Sequence, residues 1–320
     1  MTIYPWQKQS WAEVFSNKVK MPHAYIFYGT QTKEINNFAN EVIKSVLCSK
    51  PTKEHFACEV CQDCIWNKTN HPDLKRVINS SEGENLKTDI LKVDDVREAC
   101  EFLQTTSHHT NGTKIVAIYG ADRLNGAATS ALLKFVEEPP NNCIFIFTVN
   151  NLNDLYATII SRCRLVSFSK PSQEEAKNLL KQTDNAALID KLELYNNSPL
   201  ELMDEADMLA NLGIILNELK KGDEIDLMKL NNIWLDNGLA WIINLLQKWS
   251  YEILLYKISG EHNYFPNETK VIHKLALNAD LNKLLTYQKS LNTIKSYAQK
   301  AVNKEINLNS VMIEYKKIFN

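Results

Sequence analysis

Two runs, Ile115-Val116-Ala117-Ile118 and Ile144-Phe145-Ile146-Phe147, contain no polar residue, and a strand that is apolar at every position must be covered on both faces. A third run, Ala24 to Tyr28, precedes a helical pattern from Lys33 to Leu47. Another helical pattern, Ala127 to Val136, lies between Lys114 to Tyr119 and Ile144 to Val149. Strands alternating with helices predict a parallel sheet layered by helices, an α/β domain. Asn111-Gly112 marks a turn before one strand, and Glu138-Pro139-Pro140 ends a helix because the residue before a proline leaves the helical region.

Beyond about Phe168 the strand-like runs stop. Pro171-Ser172-Gln173-Glu174-Glu175 has the form of a capped helix start, and everything after it reads as helical. Breaks at Asn196-Asn197-Ser198-Pro199 and Leu219-Lys220-Lys221-Gly222-Asp223 divide the chain into three parts: 1–168, 169–208 and 209–320. A chain of 320 residues has room for two or three domains. Trp234, Trp241 and Trp249 recur with Leu245, Leu246, Ile253 and Leu254 along one helical stretch. The stripe reads equally as core packing or as a helix–helix oligomer contact.

Charge excludes one class. With 36 Lys+Arg against 38 Asp+Glu the net charge is -2, so the surface as a whole does not grip nucleic acid, although a local basic face stays open. No stretch approaches a membrane span and the N-terminus lacks a leader pattern, which together with the cysteine usage predicts a cytoplasmic protein without a membrane partner.

Three of the seven cysteines fall in Cys58-Glu59-Val60-Cys61-Gln62-Asp63-Cys64, a spacing that suits metal thiolates better than disulfides. Zinc takes four ligands in a tetrahedron, and Cys48, ten residues upstream, completes the set Cys48, Cys58, Cys61 and Cys64; His55 and His71 are substitutes for the fourth position. Four thiolates close the coordination shell, so the expected zinc is structural; an iron–sulfur cluster and free thiols are the alternatives. Cys100, Cys143 and Cys163 lack ligand spacing and read as buried small hydrophobes. His108-His109 reads as a polar loop rather than a metal site.

The sequence contains no G-x-x-x-x-G-K-[ST]. After the first strand, Gly29-Thr30-Gln31-Thr32-Lys33-Glu34-Ile35 stands where a phosphate loop would but lacks its second glycine and its Lys-Ser/Thr ending. Gly29, Thr32 and Lys33 are what remains of such a loop. The next strand ends Tyr119-Gly120-Ala121, without the paired acids that would hold magnesium, and Asp122 comes too late. Ser161-Arg162-Cys163 nevertheless places an arginine beside this nucleotide-binding type of core. On the helix before it, Lys134 and Glu138 are spaced as an i,i+4 salt bridge.

Several short motifs together give a resemblance: Tyr4-Pro5-Trp6, Pro22-His23-Ala24, the Cys48 to Cys64 cluster followed by His71-Pro72-Asp73, Ala131 to Pro140, and Ser161-Arg162-Cys163. The chain resembles the bacterial clamp-loader AAA+ subunits over most of its length. The resemblance implies an AAA+ type domain over 1–168 with a four-cysteine zinc module at 48–64, a helical lid over 169–208, and an all-α oligomerisation collar over 209–320. The ATP-hydrolysing members share the zinc cysteines and the Ser-Arg-Cys motif, but have a Gly-Lys loop, an Asp-Glu pair and a lid arginine. Here those positions read Gly29 to Glu34, Tyr119-Gly120 and Ser198-Pro199-Leu200.

The resemblance therefore implies a member that neither binds nor splits ATP in cis. It would have no intrinsic activity and would serve as a subunit of the DNA polymerase III holoenzyme. Arg162, positioned by Ser161 and Cys163, would act in trans as an arginine finger on the neighbouring ATPase. The implied partners are the gamma/tau ATPase subunits and the delta subunit and, through the complex, a sliding clamp opened and loaded onto primed DNA. An ATP-hydrolysing subunit with an atypical phosphate loop and a stand-alone zinc-dependent nucleic-acid-binding module are the alternatives.

Overall fold

The computed structural model describes residues 3–16, 21–78, 91–108, 112–227, 229–230, 233, 238–297 and 304–320. The sequence readings at His109, Asn111 and Trp234 lie outside the described residues. The chain divides into two units, Met1–Pro171 and Ser172–Asn320.

In the first unit the elements run α1 (Lys8–Phe15), β1 (Ala24–Tyr28), α2 (Thr32–Leu47), α3 (Gln62–Asn67), β2 (Leu74–Val77), α4 (Val93–Phe102), β3 (Lys114–Tyr119), α5 (Gly126–Glu137), β4 (Cys143–Val149), α6 (Ala157–Ile160) and β5 (Arg164–Ser167). All five strands are parallel, in the order β2-β3-β4-β1-β5. The three strands visible as apolar runs are the central ones. The edge strands β2, Leu74-Lys75-Arg76-Val77, and β5, Arg164-Leu165-Val166-Ser167, mix in charged and polar residues because each pairs on one side only.

Alternation along the central strands feeds two cores. Ala24, Ile26, Val116, Ile118, Phe145 and Phe147 pack with α4, α5 and α6 residues on one face. Tyr25, Phe27, Ile115, Ala117, Ile144 and Ile146 pack with α1 and α2 on the other. The fold is a three-layer α/β domain.

Among the described residues the second unit is helical throughout. It opens with α7 (Gln173–Gln182), where Ser172 and Glu175 form the reciprocal capping pair expected from the sequence: the Ser172 hydroxyl accepts from the Glu175 amide at 3.2 Å, and the Glu175 carboxylate accepts from the Ser172 amide at 2.9 Å. Then follow α8 (Pro199–Asp204), α9 (Leu212–Leu219) and long helices at Leu239–Ser259, Thr269–Asn278, Leu281–Tyr297 and Lys304–Lys317. One hydrophobic cluster runs through it from Ala176 to Ile318. Trp241 and Trp249 are buried in that cluster. The Trp249 indole N–H donates to the Tyr315 hydroxyl at 2.8 Å, which in turn donates to the Leu219 carbonyl at 2.8 Å.

Glu252 is fully buried, and its carboxylate accepts from the backbone amides of Asn263 (2.8 Å), Tyr264 (3.0 Å) and Phe265 (3.3 Å). A carboxyl group taken out of water needs hydrogen-bond partners, and this one fixes the loop that follows its own helix. Glu252→Gln halves the acceptor capacity and should lower stability by about 2 kcal/mol, read as a fall in the urea midpoint of the full chain.

Candidate functional site

The cysteine cluster is assembled from the end of one helix and the start of another. Cys48 caps the C-terminus of α2, Cys61 is the N-cap of α3, and Cys64 lies in the first turn of α3. Glu59, with φ at 63°, turns the chain between Cys58 and Cys61. Backbone amides aim at the sulfurs: Cys58 N–H at Cys48 Sγ (3.2 Å), Cys61 N–H at Cys58 Sγ (3.4 Å) and Cys64 N–H at Cys61 Sγ (3.4 Å).

All four sulfurs lie within 4.8 Å of one another, with Cys48–Cys61 at 3.8 Å and Cys58–Cys64 at 3.9 Å. A zinc–sulfur bond of about 2.3 Å implies a tetrahedral edge of about 3.8 Å, so these distances fit a tetrahedral thiolate site. Four cysteines so arranged are compatible with structural zinc. The substitute ligands are used elsewhere: the His55 ring stacks on Phe15 at 4.9 Å, and His71 is buried with Nδ1 accepting from the Asp73 amide at 3.1 Å. Of the other cysteines, Cys100 and Cys143 are buried and Cys163 is partly buried against the core.

At the carboxyl end of β1, the segment read in the sequence as a degenerate phosphate loop packs against neighbouring elements. Gly29 lies so close to β5 that a Cβ there would sit 2.8 Å from the Phe168 carbonyl. Gln31 and Glu34 are buried, Glu34 in the first turn of α2, where its negative charge meets the positive end of the helix. Gln7, also buried, ties the N-terminal segment to α2: its side-chain amide donates to the Glu34 carbonyl at 3.1 Å and accepts from the Tyr4 amide at 3.2 Å, while Tyr4 and Trp6 stack at 4.9 Å. Burial, then the charges of Glu34 and Glu41, raises the Tyr4 phenol.

Thr32 donates to the Asn150 side-chain oxygen at 2.7 Å, and the Asn150 amide approaches an Asp122 carboxylate oxygen at 3.3 Å. Asn150 thus bridges Thr32 and Asp122, a role the sequence reading missed. The available signal was a polar residue directly after a strand of buried residues.

Arg162 sits on the turn between α6 and β5. Its guanidinium meets the Glu137 carboxylate at 2.7 Å and donates to the Thr158 carbonyl at 2.9 Å and the Ser161 hydroxyl at 3.1 Å, with 37% of the side chain exposed. Cys163 points into the core while Arg162 faces out, which fixes the turn from one side. The ion pair formed by the end of α5 is therefore Glu137–Arg162, whereas the sequence spacing suggested Lys134 with Glu138.

Residues 7–172 match the family described as "DNA polymerase III, delta subunit", a span of more than half the chain, and the chain belongs to that family. Within it, the similarity is to delta-prime subunits. DNA polymerase III subunit delta' of Pseudomonas aeruginosa is 27% identical over 97% of this chain and 94% of its own length. The same subunit of Buchnera aphidicola subsp. Schizaphis graminum is 29% identical over 62% of this chain and 60% of its own length. DNA polymerase III subunit tau of Bacillus subtilis is 29% identical over 47% of this chain and 25% of its own. Among the described residues no helix is long and apolar enough to cross a membrane.

The four thiols differ in acidity. Burial raises Cys61, but hydrogen bonds from Ser49 and Cys64 outweigh it and bring the thiol down to about 6, while burial first, then Cys61 and Cys48, push Cys64 up. In metal-free protein, the initial rate of iodoacetamide labelling at Cys61 should therefore rise through about pH 6 and level off above it, with Cys64 reacting far more slowly; mass spectrometry of peptides from timed, quenched samples reads both.

Proposed function

We propose that this chain is the non-hydrolysing delta-prime subunit of a DNA polymerase III clamp loader, helping to open a sliding clamp and load it onto primed DNA. It binds no ATP of its own and supplies Arg162 in trans to the neighbouring gamma/tau ATPase subunit. The observation that carries this reading is the closed start of α2. A phosphate loop needs free backbone amides at a helix N-terminus and a cation above them. Here the first turn of α2 carries a buried carboxylate, Glu34, and the Thr32 hydroxyl is already committed to Asn150.

Arg162 supports the second half of the proposal by chemistry and position. A guanidinium is charged at any physiological pH, and its planar fork matches phosphate oxygens, so it can stabilise charge that develops on a transferring phosphoryl group. Bonds to Thr158, Ser161 and Glu137 hold it at the rim of the domain rather than over its own β1 loop. In the same proposal Cys48, Cys58, Cys61 and Cys64 hold a structural zinc, which when bound cross-links the end of α2 to the start of α3. Residues 169–208 act as a lid, 209–320 as a collar against the other subunits including delta, and the complex works in the cytoplasm.

Calorimetry of the purified chain with magnesium and ATP tests the first half. The proposal expects no magnesium-dependent binding at micromolar nucleotide. Saturable binding in that range that requires magnesium and is lost on Lys33→Ala would instead favour an ATP-binding subunit with an atypical loop.

A further inference from the structure

In the second unit, a cavity of about 310 Å³ is lined by Asn244, Gln247, Lys248, Tyr251, Tyr264, Gln288, Asn292 and Lys295. Its wall holds two cations, two phenols and four amides, and no carboxylate. Lys248 is held between aromatic faces, its ammonium 4.9 Å from the Tyr195 ring centre and 6.0 Å from that of Tyr264. Neither lysine forms an ion pair among the described residues; Lys295 donates to the neutral Gln247 side chain at 3.1 Å.

The nearest acids, Glu201 and Glu205, line a smaller cavity on the other side of Lys248, and Glu205 there accepts from the Tyr195 hydroxyl at 2.6 Å. Burial pulls the Lys248 ammonium below its usual range in spite of those acids, while Lys295 is an exposed residue on the same wall. Two cations on one wall, with the nearest acids behind Lys248 rather than in the cavity, repel each other, and an anion entering between them relieves that repulsion.

The remaining walls indicate the kind of anion. Tyr251 is exposed and meets Tyr264 edge-on at 6.0 Å, leaving a ring face at the mouth of the cavity. Gln247, Asn292 and Gln288 form a connected set, the Gln247 side chain donating to Asn292 at 2.6 Å and Gln288 donating to the Gln247 carbonyl at 3.0 Å. Glu252, through its three bonds to the loop backbone, holds Tyr264 in place. Lysines beside a stacking platform and base-edge amides are what a phosphate ester carrying a nucleobase requires, whereas a carboxylate peptide has no use for the ring face.

We propose that this cavity binds a phosphate ester of a nucleotide, with Lys248 and Lys295 on the phosphate and Tyr251 against the base. The site is independent of the β1 loop and of Arg162. The ligand is either a single strand of nucleic acid or a free nucleotide, and the two are separable by titration.

The full chain is titrated without magnesium, at several salt concentrations, with fluorescent dT10 and separately with dTMP. Tight binding of dT10 and weak binding of dTMP identifies a strand; comparable affinities identify a free nucleotide. Lys295→Gln and Lys248→Gln should each weaken dT10 binding by about fivefold and lower the salt slope by about 0.7. Tyr251→Ala, at an exposed position, should weaken binding without changing that slope. Lys295→Gln and Tyr251→Ala keep the test valid if the more buried Lys248 variant unfolds. Absence of binding by both probes, affinities unchanged in these variants, or equal displacement of dT10 by a glutamate decapeptide would overturn the proposal.

Discussion

The close approach of Gly29 to the Phe168 carbonyl governs the carboxyl end of the first unit's sheet. β1 lies between β4 and β5, so the chain leaves it toward one edge and returns past it to the other, and crevices at such a crossing are where open parallel sheets bind ligands. In this chain the crevice is drawn tight: a Cβ on residue 29 would stand 2.8 Å from backbone. The amide of Gly29 donates to the Val149 carbonyl at 3.2 Å, which ties the same loop to β4. With β1 pinned on both sides, Thr32 donates to Asn150, Glu34 is buried at the head of α2, and Gln7 of the N-terminal segment donates to the Glu34 carbonyl.

Arg162 lies at the opposite, amino end of the sheet, where the chain enters β5 beside the start of β1, and in the proposed function it is the side chain offered to a neighbour. Arg162 leaves the core on a turn whose next residue, Cys163, packs inward, and its guanidinium is oriented by one carboxylate and one helix carbonyl. An exposed ion pair of this kind contributes at most about 1 kcal/mol, so Glu137 orients the arginine without holding it against a stronger anion. The cysteine cluster serves a different purpose, joining α2 to α3, with backbone amides already aimed at the sulfurs.

Much of this was legible in the residues. Central strands announce themselves because burial on both faces removes every polar residue, and β1 and β3 occupy the runs read as Ala24 to Tyr28 and Lys114 to Tyr119. The edge strands did not, since Lys75 and Arg76 in β2 and Arg164 in β5 follow the demands of a half-paired strand and look like loop sequence. The four-cysteine spacing specified its own convergence. Side-chain bridges between distant segments left no periodic trace: Asn150 with Thr32, Glu137 with Arg162, and Glu252 with the loop at Asn263 are each set by tertiary placement. The Lys248 and Lys295 cavity was hidden for the same reason, because a balanced overall charge conceals a local pair of cations.

The central claim is that Arg162 acts on a nucleotide held by another subunit. The most direct measurement is single-turnover ATP hydrolysis by a reconstituted loader in which this chain carries Arg162→Ala, with clamp and primed DNA present and assembly confirmed by gel filtration. The account predicts hydrolysis at the adjacent site slowed by about tenfold or more, with ATP still bound there. An unchanged rate in a correctly assembled complex would contradict it.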